Sequence, residues 1–411
     1  MEMPRKMYSA SMVRKVIQRR RRRERWRTAL TVAGLVFLMA MVAYAAASPR
    51  GQAMQDPRLQ KLLTIIDLVK DRYVEEVDDS RLLEGAVRGA VEALDDPYSY
   101  YLDPQQYRNL MIRATGEYQG IGIIVGIKDG YVTVIAPIKG TPAERAGMQG
   151  GDRILRVDGR DITNLTLDEV AQLIRGPAGT KVTLTISRPG REELLTFEIT
   201  RARVKIVSVE HEMVAPGIGY LRITTFNENT PAEVREALDD LRACDMKGLI
   251  LDLRHNPGGL LSQCVEVADH FVPPGPVTEI ISREGKSEVL KADSPPLGVP
   301  LVVLVDRGTA SASEILAGAI QDTGTGILVG TRTFGKGTMQ HLINMPDGSG
   351  LKLTTARFYT PEGRKIDGVG LEPDVAVPVP EDFNPFAVPR EEDPQFQKAL
   401  QIITEKVAGE G

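Results

Sequence analysis

Cysteine is nearly missing from this chain: only Cys244 and Cys264 occur in 411 residues. Two thiols do not make a disulfide framework, so the fold must rest on packing; both sit among apolar residues and read as buried free thiols. Histidine is almost as scarce, with only His211, His255, His270 and His341. None stands in a His-Glu-x-x-His arrangement, so a zinc hydrolase is disfavoured, and neither a metal site nor a cofactor is expected. A Ser-His-Asp hydrolase would need one of the four as its base. His255, in a glycine-rich loop, is the only credible candidate, because His341 follows Gln340 in a strand pattern and points to the opposite face. A complete Gly-x-x-x-x-Gly-Lys-Ser/Thr loop is also missing; Gly335-Lys336-Gly337-Thr338 is only its tail, so no phosphate cradle is predicted. Positive charge is concentrated at one end. Residues 1–27 hold eleven Lys and Arg against Glu2 and Glu24, while the remainder carries a net charge of −13. The main body therefore offers no basic face for nucleic acid.

The basic end is followed by Thr28 to Ala47, twenty residues without a charge. A helix of about that length spans the hydrocarbon core of a bilayer. The basic flank places residues 1–27 in the cytoplasm and everything after residue 47 outside it, and Trp26 suits the interface. Ala45-Ala46-Ala47-Ser48 also matches a small-residue signal-peptidase site. The apolar run is long for a cleaved signal, so a retained signal-anchor, residues 28–47, is the preferred reading.

Residues 54–112 read as helical. Apolar residues at helical spacing run from Leu59 to Tyr73, a second helix is predicted from Ser80 to Leu94 with Ser80 as its N-cap, and Pro104 opens a third through Met111. This is a helical arm; a homodimer interface is the functional reading of it. Residues 113–203 are β-rich and glycine-punctuated. Residues 204–380 alternate strand and helix patterns: strand Gly219–Thr225, helix Thr230–Ala243, strand Gly248–Arg254, helix Leu260–Phe271, then strands Val277–Ser282, Pro300–Asp306 and Ile327–Gly330. Such a series predicts a largely parallel sheet. A hairpin is expected from Met339–Asn344 and Leu351–Phe358. Residues 381–411 form a tail ending in a helix, Pro394–Val407.

Chemistry concentrates between Thr309 and Gln340. Ser311 opens a helix after the apolar run Pro300–Asp306, where unpaired N–H groups and the helix dipole favour a developing alkoxide. Ser311-Ala-Ser-Glu314 fits a capping box equally well. Lys336 stands between two glycines, whose small size lets its backbone enter a tight site where burial lowers the amine's pKa. Serine with a desolvated lysine is an alternative to Ser-His-Asp. Gln340 falls on the same face as Lys336 by spacing.

Ala310-Ser-Ala-Ser-Glu314, the lysine twenty-five residues after Ser311 and the glutamine four beyond it resemble the carboxyl-terminal processing peptidases. The likeness runs from about Asp56 to Pro378. It takes in Asp95-Asp-Pro-Tyr-Ser-Tyr-Tyr-Leu102, Leu251-Asp-Leu-Arg-His-Asn-Pro-Gly-Gly259, Tyr359-Thr-Pro-Glu-Gly-Arg364 and Gly370-Leu-Glu-Pro-Asp374. It implies a multi-domain α+β protein: the membrane helix and helical arm, a PDZ β-rich module and a Clp protease/crotonase-like α/β catalytic core. In the PDZ part, Gly120-Ile121-Gly122-Ile123 resembles the loop whose N–H groups receive a peptide's C-terminal carboxylate. Thr166–Ile174 would wall the groove, with Arg175 at its end. The resemblance further implies Ser311 as nucleophile, Lys336 as base, Gln340 orienting the lysine, and Gly258 or Gly259 with Ala312 as oxyanion donors. The expected substrates are proteins or peptides with apolar C-termini, cleaved outside the cytoplasm. A silent PDZ scaffold is the alternative class, which would need none of these three side chains.

The charge asymmetry gives a direct test of topology. Protease added outside intact spheroplasts should digest residues 56–411 and spare residues 1–27. Protection of the β-rich module would reverse the orientation.

Overall fold

A computed structural model describes residues 56–409. The expected membrane segment, residues 28–47, lies outside them, and no helix among the described residues is long and apolar enough to cross a membrane. The chain divides into two units after Ala90.

In the first unit, Asp56 accepts a hydrogen bond from the Arg58 N–H at 2.8 Å and Pro57 opens the helix Pro57–Arg72. Proline suits this position because the N–H it lacks would have no helical partner. Leu62, Ile65 and Leu68 stay exposed on its surface. The second helix starts at Asp79, and Asp78, not Ser80, supplies the cap, accepting from the Ser80 N–H at 2.9 Å. Asp78 sits two residues before that N–H, the spacing a short carboxylate bridges without strain.

The second unit opens with Tyr100–Leu102 and the helix Pro104–Thr115, four residues longer than expected. Asp103 and Gln106 form its capping box, and Gly116 ends it at φ 67°. The β-rich part then builds a sheet in the order Ile123–Lys128, Tyr131–Pro137, Arg153–Val157, Lys181–Ser187, Leu195–Thr200. Val134, Val170, Val182, Leu184 and Ile186 fill its core. The wall helix spans Leu167–Ile174, capped by Thr166 and Glu169.

The α/β part holds a six-stranded sheet: Val209–Ala215, Ile218–Ile223, Gly248–Asp252, Leu301–Val305, Ile327–Gly330 and Val375–Ala376. All pairs are parallel except the first, where Val209–Ala215 adds an antiparallel edge. The central strands Gly248–Asp252 and Leu301–Val305 are buried throughout, as sheets covered on both faces require. One expected member is elsewhere. Gly275–Ser282 turns back at Gly285 into Ser287–Ala292 and pairs antiparallel with Gly350–Tyr359 in a second sheet. A tight turn imposes an antiparallel neighbour, and parallel pairing would need a crossover. Tyr100–Leu102 and Thr338–Asn344 complete this sheet.

The helix Pro394–Gly409 covers the outer face of the parallel sheet, placing Phe396, Ala399 and Ile403 against Ile250, Val302, Leu304 and Val329. A buried ionic cluster fixes it. Arg254 lies at the end of a central strand and pairs with both Asp252 and Asp393 at 2.7 Å, while the Tyr220 hydroxyl donates to Asp252. Asp393 in turn accepts from the N–H groups of Gln395 and Phe396. Removing one partner leaves an uncompensated buried charge, at a cost of about 3–5 kcal/mol. Arg254→Ala should therefore lower stability by roughly that amount, and hydrogen exchange should show protection lost first in residues 394–409. Unchanged melting and exchange would rule out this clamp.

Candidate active site

The carboxyl ends of Gly248–Asp252 and Leu301–Val305 carry two loops laced together. The Ala310 N–H and the Ser313 hydroxyl both donate to the Asn256 carbonyl, at 3.0 and 3.1 Å. Asp306 accepts from the His255 N–H at 3.0 Å and the Gly308 N–H at 2.8 Å. Carboxyl ends of adjacent parallel strands are where open α/β sheets place their sites.

Ser311 ends the second loop at φ 58° and ψ −118°. A non-glycine residue held there stores roughly 1–3 kcal/mol of strain. The helix Ala312–Asp322 begins at the next residue. Glu314, in its first turn, is fully buried and accepts four hydrogen bonds. Oε2 receives the N–H of Ser311 and that of Lys336, both at 2.9 Å. Oε1 receives the Thr333 hydroxyl at 2.5 Å and the Gly335 N–H at 2.7 Å. Burial pushes the pKa of this carboxyl up, against the pull of its four donors. One carboxylate thus holds the serine turn and the lysine loop together.

The glycines beside Lys336 have the reason the sequence implied. A Cβ on Gly337 would meet the Asp367 N at 2.3 Å, and Gly335 has φ 89° with the Gly370 N 2.9 Å from its Cβ position. Lys336 itself faces the Tyr98 ring, Nζ lying 4.9 Å from the centroid. Among the described residues its ammonium makes no hydrogen bond. Burial, then repulsion from the Lys352 ammonium, bring its pKa down from 10.5 to about 8, while Asp96 and Glu314 oppose the shift.

Ser311, Ala312, Lys336, Gln340, Gly258 and Gly259 all line one cavity of about 370 Å³. The spacing argument for Gln340 needs correcting, because a bulge falls between Met339 and Gln340 and Lys336 precedes the strand. The bulge turns the glutamine to the same cavity nonetheless. Its amide nitrogen donates to Thr338 and Thr354, at 2.9 and 3.1 Å to their hydroxyls.

The two glycines differ. The Gly258 N–H already donates to Asn256 Oδ1 at 2.9 Å. Gly258 has φ 95°, and a Cβ there would come within 2.9 Å of the Ala312 N and of Ser311 Cβ. The N–H groups of Gly259 and Ala312 have no partner among the described residues. His255 does not line the cavity; its Nε2 lies 3.4 Å from Asp306 Oδ2 and its ring meets Phe386 edge-on. Cys264 is buried and donates to the Ala312 carbonyl at 3.0 Å, but Cys244 is exposed, since it follows the last buried turn of the helix Thr230–Ala243.

In the β-rich part, the carbonyl of Ile121 accepts from Ala143 and that of Gly122 from Ile138, at 2.8 and 3.0 Å. Gly120 pairs with Ala202 and Ile123 with Pro137. The N–H groups of Ile121 and Gly122 donate to nothing among the described residues, as a carboxylate-receiving loop requires. Arg175 is half-buried. It donates to Asn109 Oδ1 at 3.0 Å and stacks on Tyr118.

Nothing in the sequence marks Tyr98, Thr333, Asn256 or Lys352 individually as site residues, and Glu314 reads only as a cap. Tyr98, Asn256 and Glu314 do lie within the motifs that carry the family resemblance, and Glu314 stands three residues after the serine.

Fold and cavity together define a serine-type peptidase carrying a PDZ module. The profile of Peptidase family S41 matches residues 217–377, that of a PDZ domain residues 133–188, and that of the activating protease CtpB N-terminal domain residues 38–106. The chain is 39% identical over 372 residues to the carboxy-terminal-processing protease of Bartonella bacilliformis, covering 87% of this chain and 84% of that protein. It is 36% identical to the carboxy-terminal processing protease CtpB of Bacillus subtilis, over 82% of this chain and 72% of the relative. To the carboxyl-terminal-processing protease of Synechocystis it is 39% identical, over 83% and 82%. The chain belongs to the carboxy-terminal processing proteases of peptidase family S41.

Glu314→Gln tests the hub. The amide can keep an oxygen toward Ser311 and Lys336 but turns N–H groups toward Gly335, leaving a buried donor unpaired at about 1–3 kcal/mol. The expected result is a folded protein with lower melting temperature, kcat down at least about tenfold, and KM little changed. Full activity in this variant would show that the carboxylate does not position the site.

Proposed function

We propose that the protein is a membrane-tethered serine endopeptidase, acting outside the cytoplasm on proteins recognised by their C-terminal residues. The observation that carries the chemistry is the shared cavity of Ser311 and Lys336, with both backbones tied to Glu314. The loop Gly120–Ile123 supports recognition of a terminal carboxylate, and the apolar run of residues 28–47 behind a basic flank supports the tether.

In this reading a substrate carbonyl enters the cavity and the Lys336 amine swings from the Tyr98 ring to the Ser311 hydroxyl. Catalytic hydrogen bonds are often long in unliganded sites and tighten with substrate. Lys336 takes the proton as Ser311 Oγ attacks. The tetrahedral oxyanion is held by the Ala312 N–H and by Gly259, with Gly258 shaping the hole by its close backbone. The lysine then protonates the leaving amine, and water cleaves the acyl-enzyme with the same base. Gln340 orients the amine through its amide oxygen. A histidine base is disfavoured by the position of His255 outside the cavity.

The base must be neutral, so the rate should rise with pH through about 8 and level off above it. Lys336→Arg should lose roughly a hundredfold to ten-thousandfold in kcat, while His255→Ala loses far less. Ser311→Ala and Ser311→Gly should both be inactive, and the glycine variant should melt higher because glycine tolerates φ 58°. Activity that survives Lys336→Arg but disappears in His255→Ala would move the proton chemistry to the histidine.

A further inference from the structure

The cavity that holds Ser311 and Lys336 is lined by two more cations, Arg113 and Lys352, and by no Asp or Glu. Several other cations of this unit are paired with acids: Arg254 with Asp252 and Asp393, Arg188 with Asp152, Arg364 with Asp322. Among the described residues no ion pair reaches Lys336, Arg113 or Lys352. Arg113 is exposed, and its guanidinium has no hydrogen bond or ion pair among the described residues. The Lys352 ammonium has one hydrogen bond among them, to the Tyr100 hydroxyl at 3.3 Å, and lies 5.1 Å from the centroid of that ring.

The arrangement is built into the sheet. Tyr100 is the register partner of Lys352, and the strand Tyr100–Leu102 leads directly into the helix that carries Arg113. Tyr98, two residues before Tyr100, holds Lys336 in the same way. One short segment thus supports both lysines with aromatic faces, which hold a cation without neutralising it. Between these cations the walls are apolar, with Leu110, Phe226, Leu260, Ile315 and Met339. A peptide in this cavity meets positive charge without an ion-pair partner, exposed at Arg113 and half-buried at Lys352, and a charge-assisted contact from such groups to a carboxylate is stronger than a neutral hydrogen bond.

We propose that Arg113 and Lys352 form a subsite for a substrate carboxylate seated within a few residues of the scissile bond. The subsite rests on the peptidase reading above and adds to it a preference among substrates. The carboxylate is either the side chain of Asp or Glu beside the cleaved bond or the peptide's own terminal carboxylate.

The test uses the full-length chain and a series of peptides of one sequence, cleavage being followed by mass spectrometry. Each peptide carries Glu or Gln at one position on either side of the cleaved bond, and each is made with a free or an amidated C-terminus. The readout is the ratio of kcat/KM for an acid and its neutral counterpart. This ratio cancels any change that a substitution makes to Lys336 itself. We expect one position, or the free terminus, to give a ratio of about ten or more. Arg113→Gln and Lys352→Gln should each bring it toward one, and Lys352→Arg should keep it. A dependence on the internal Glu assigns the side chain, and a dependence on the free terminus assigns the terminal carboxylate. A ratio near one throughout, or one that persists in both glutamine variants, overturns the subsite while leaving the peptidase intact. Cleavage by Ser311→Ala at the wild-type rate would instead remove the peptidase reading.

Discussion

Everything at the site depends on one buried carboxylate. Burying Glu314 costs desolvation free energy, and the four donors it accepts, with the helix N-terminus around it, offset that cost. Those donors come from separate places: the strained turn at Ser311, the loop of Gly335 and Lys336, and the Thr333 hydroxyl. Serine and lysine therefore need no mutual contact to be held in register. Thr333 extends the tie, since its hydroxyl oxygen accepts from the Leu371 N–H at 2.8 Å. The lysine loop is thus pinned on one side by Glu314 and on the other by the segment Asp367–Leu371, against which only glycine fits.

The second layer is the sheet. Two adjacent buried strands deliver the loops of Asn256 and Ser311 to the same edge, and Asn256 fixes their spacing by accepting from the Gly258 N–H while its carbonyl takes Ala310. Arg254 anchors the first of these strands to the C-terminal helix two residues before Asn256. Packing of that helix and placement of the glycine loop therefore share a residue neighbourhood, and a loosened clamp would reach the site through two peptide units.

Much of this was legible because it is local. Helical spacing located the serine helix, the turn residues Pro346–Gly350 located the hairpin of Met339–Asn344 and Leu351–Phe358, and a serine followed by glutamate three residues on marked the helix start. What the sequence concealed is long-range or one residue wide. The pairing of Gly275–Ser282 with Gly350–Tyr359 joins segments about seventy residues apart, and nothing in either run names its partner. The bulge at Met339 changes which residues share a face, so strand parity alone does not explain why Gln340 and Lys336 line one cavity. Glu314 looked like a cap because capping uses the same position; its second oxygen, facing Thr333 and Gly335, has no local signature. The tyrosine cradle of Lys336 and Lys352 depends on Tyr100–Leu102 joining the edge of Gly350–Tyr359, which three residues cannot announce.

The site combines two unfavourable features, a strained serine and a lysine kept from its carboxylates. Either could relax if its loop were mobile: a freed Ser311 would return to negative φ, and a freed Lys336 could pair with Asp96, Glu314 or solvent. Neither relaxes, because the groups that would have to move are backbone N–H groups bound to Glu314, not side chains with other rotamers. Aromatic faces in place of carboxylates keep the cations near the cavity while leaving their charge unneutralised, which is why burial and Lys352 together can lower the basicity of Lys336. Substitutions that stabilise this region by adding an acid beside Lys336 would raise its pKa and leave less free amine at neutral pH. Stability and basicity oppose each other here through the same electrostatic interaction.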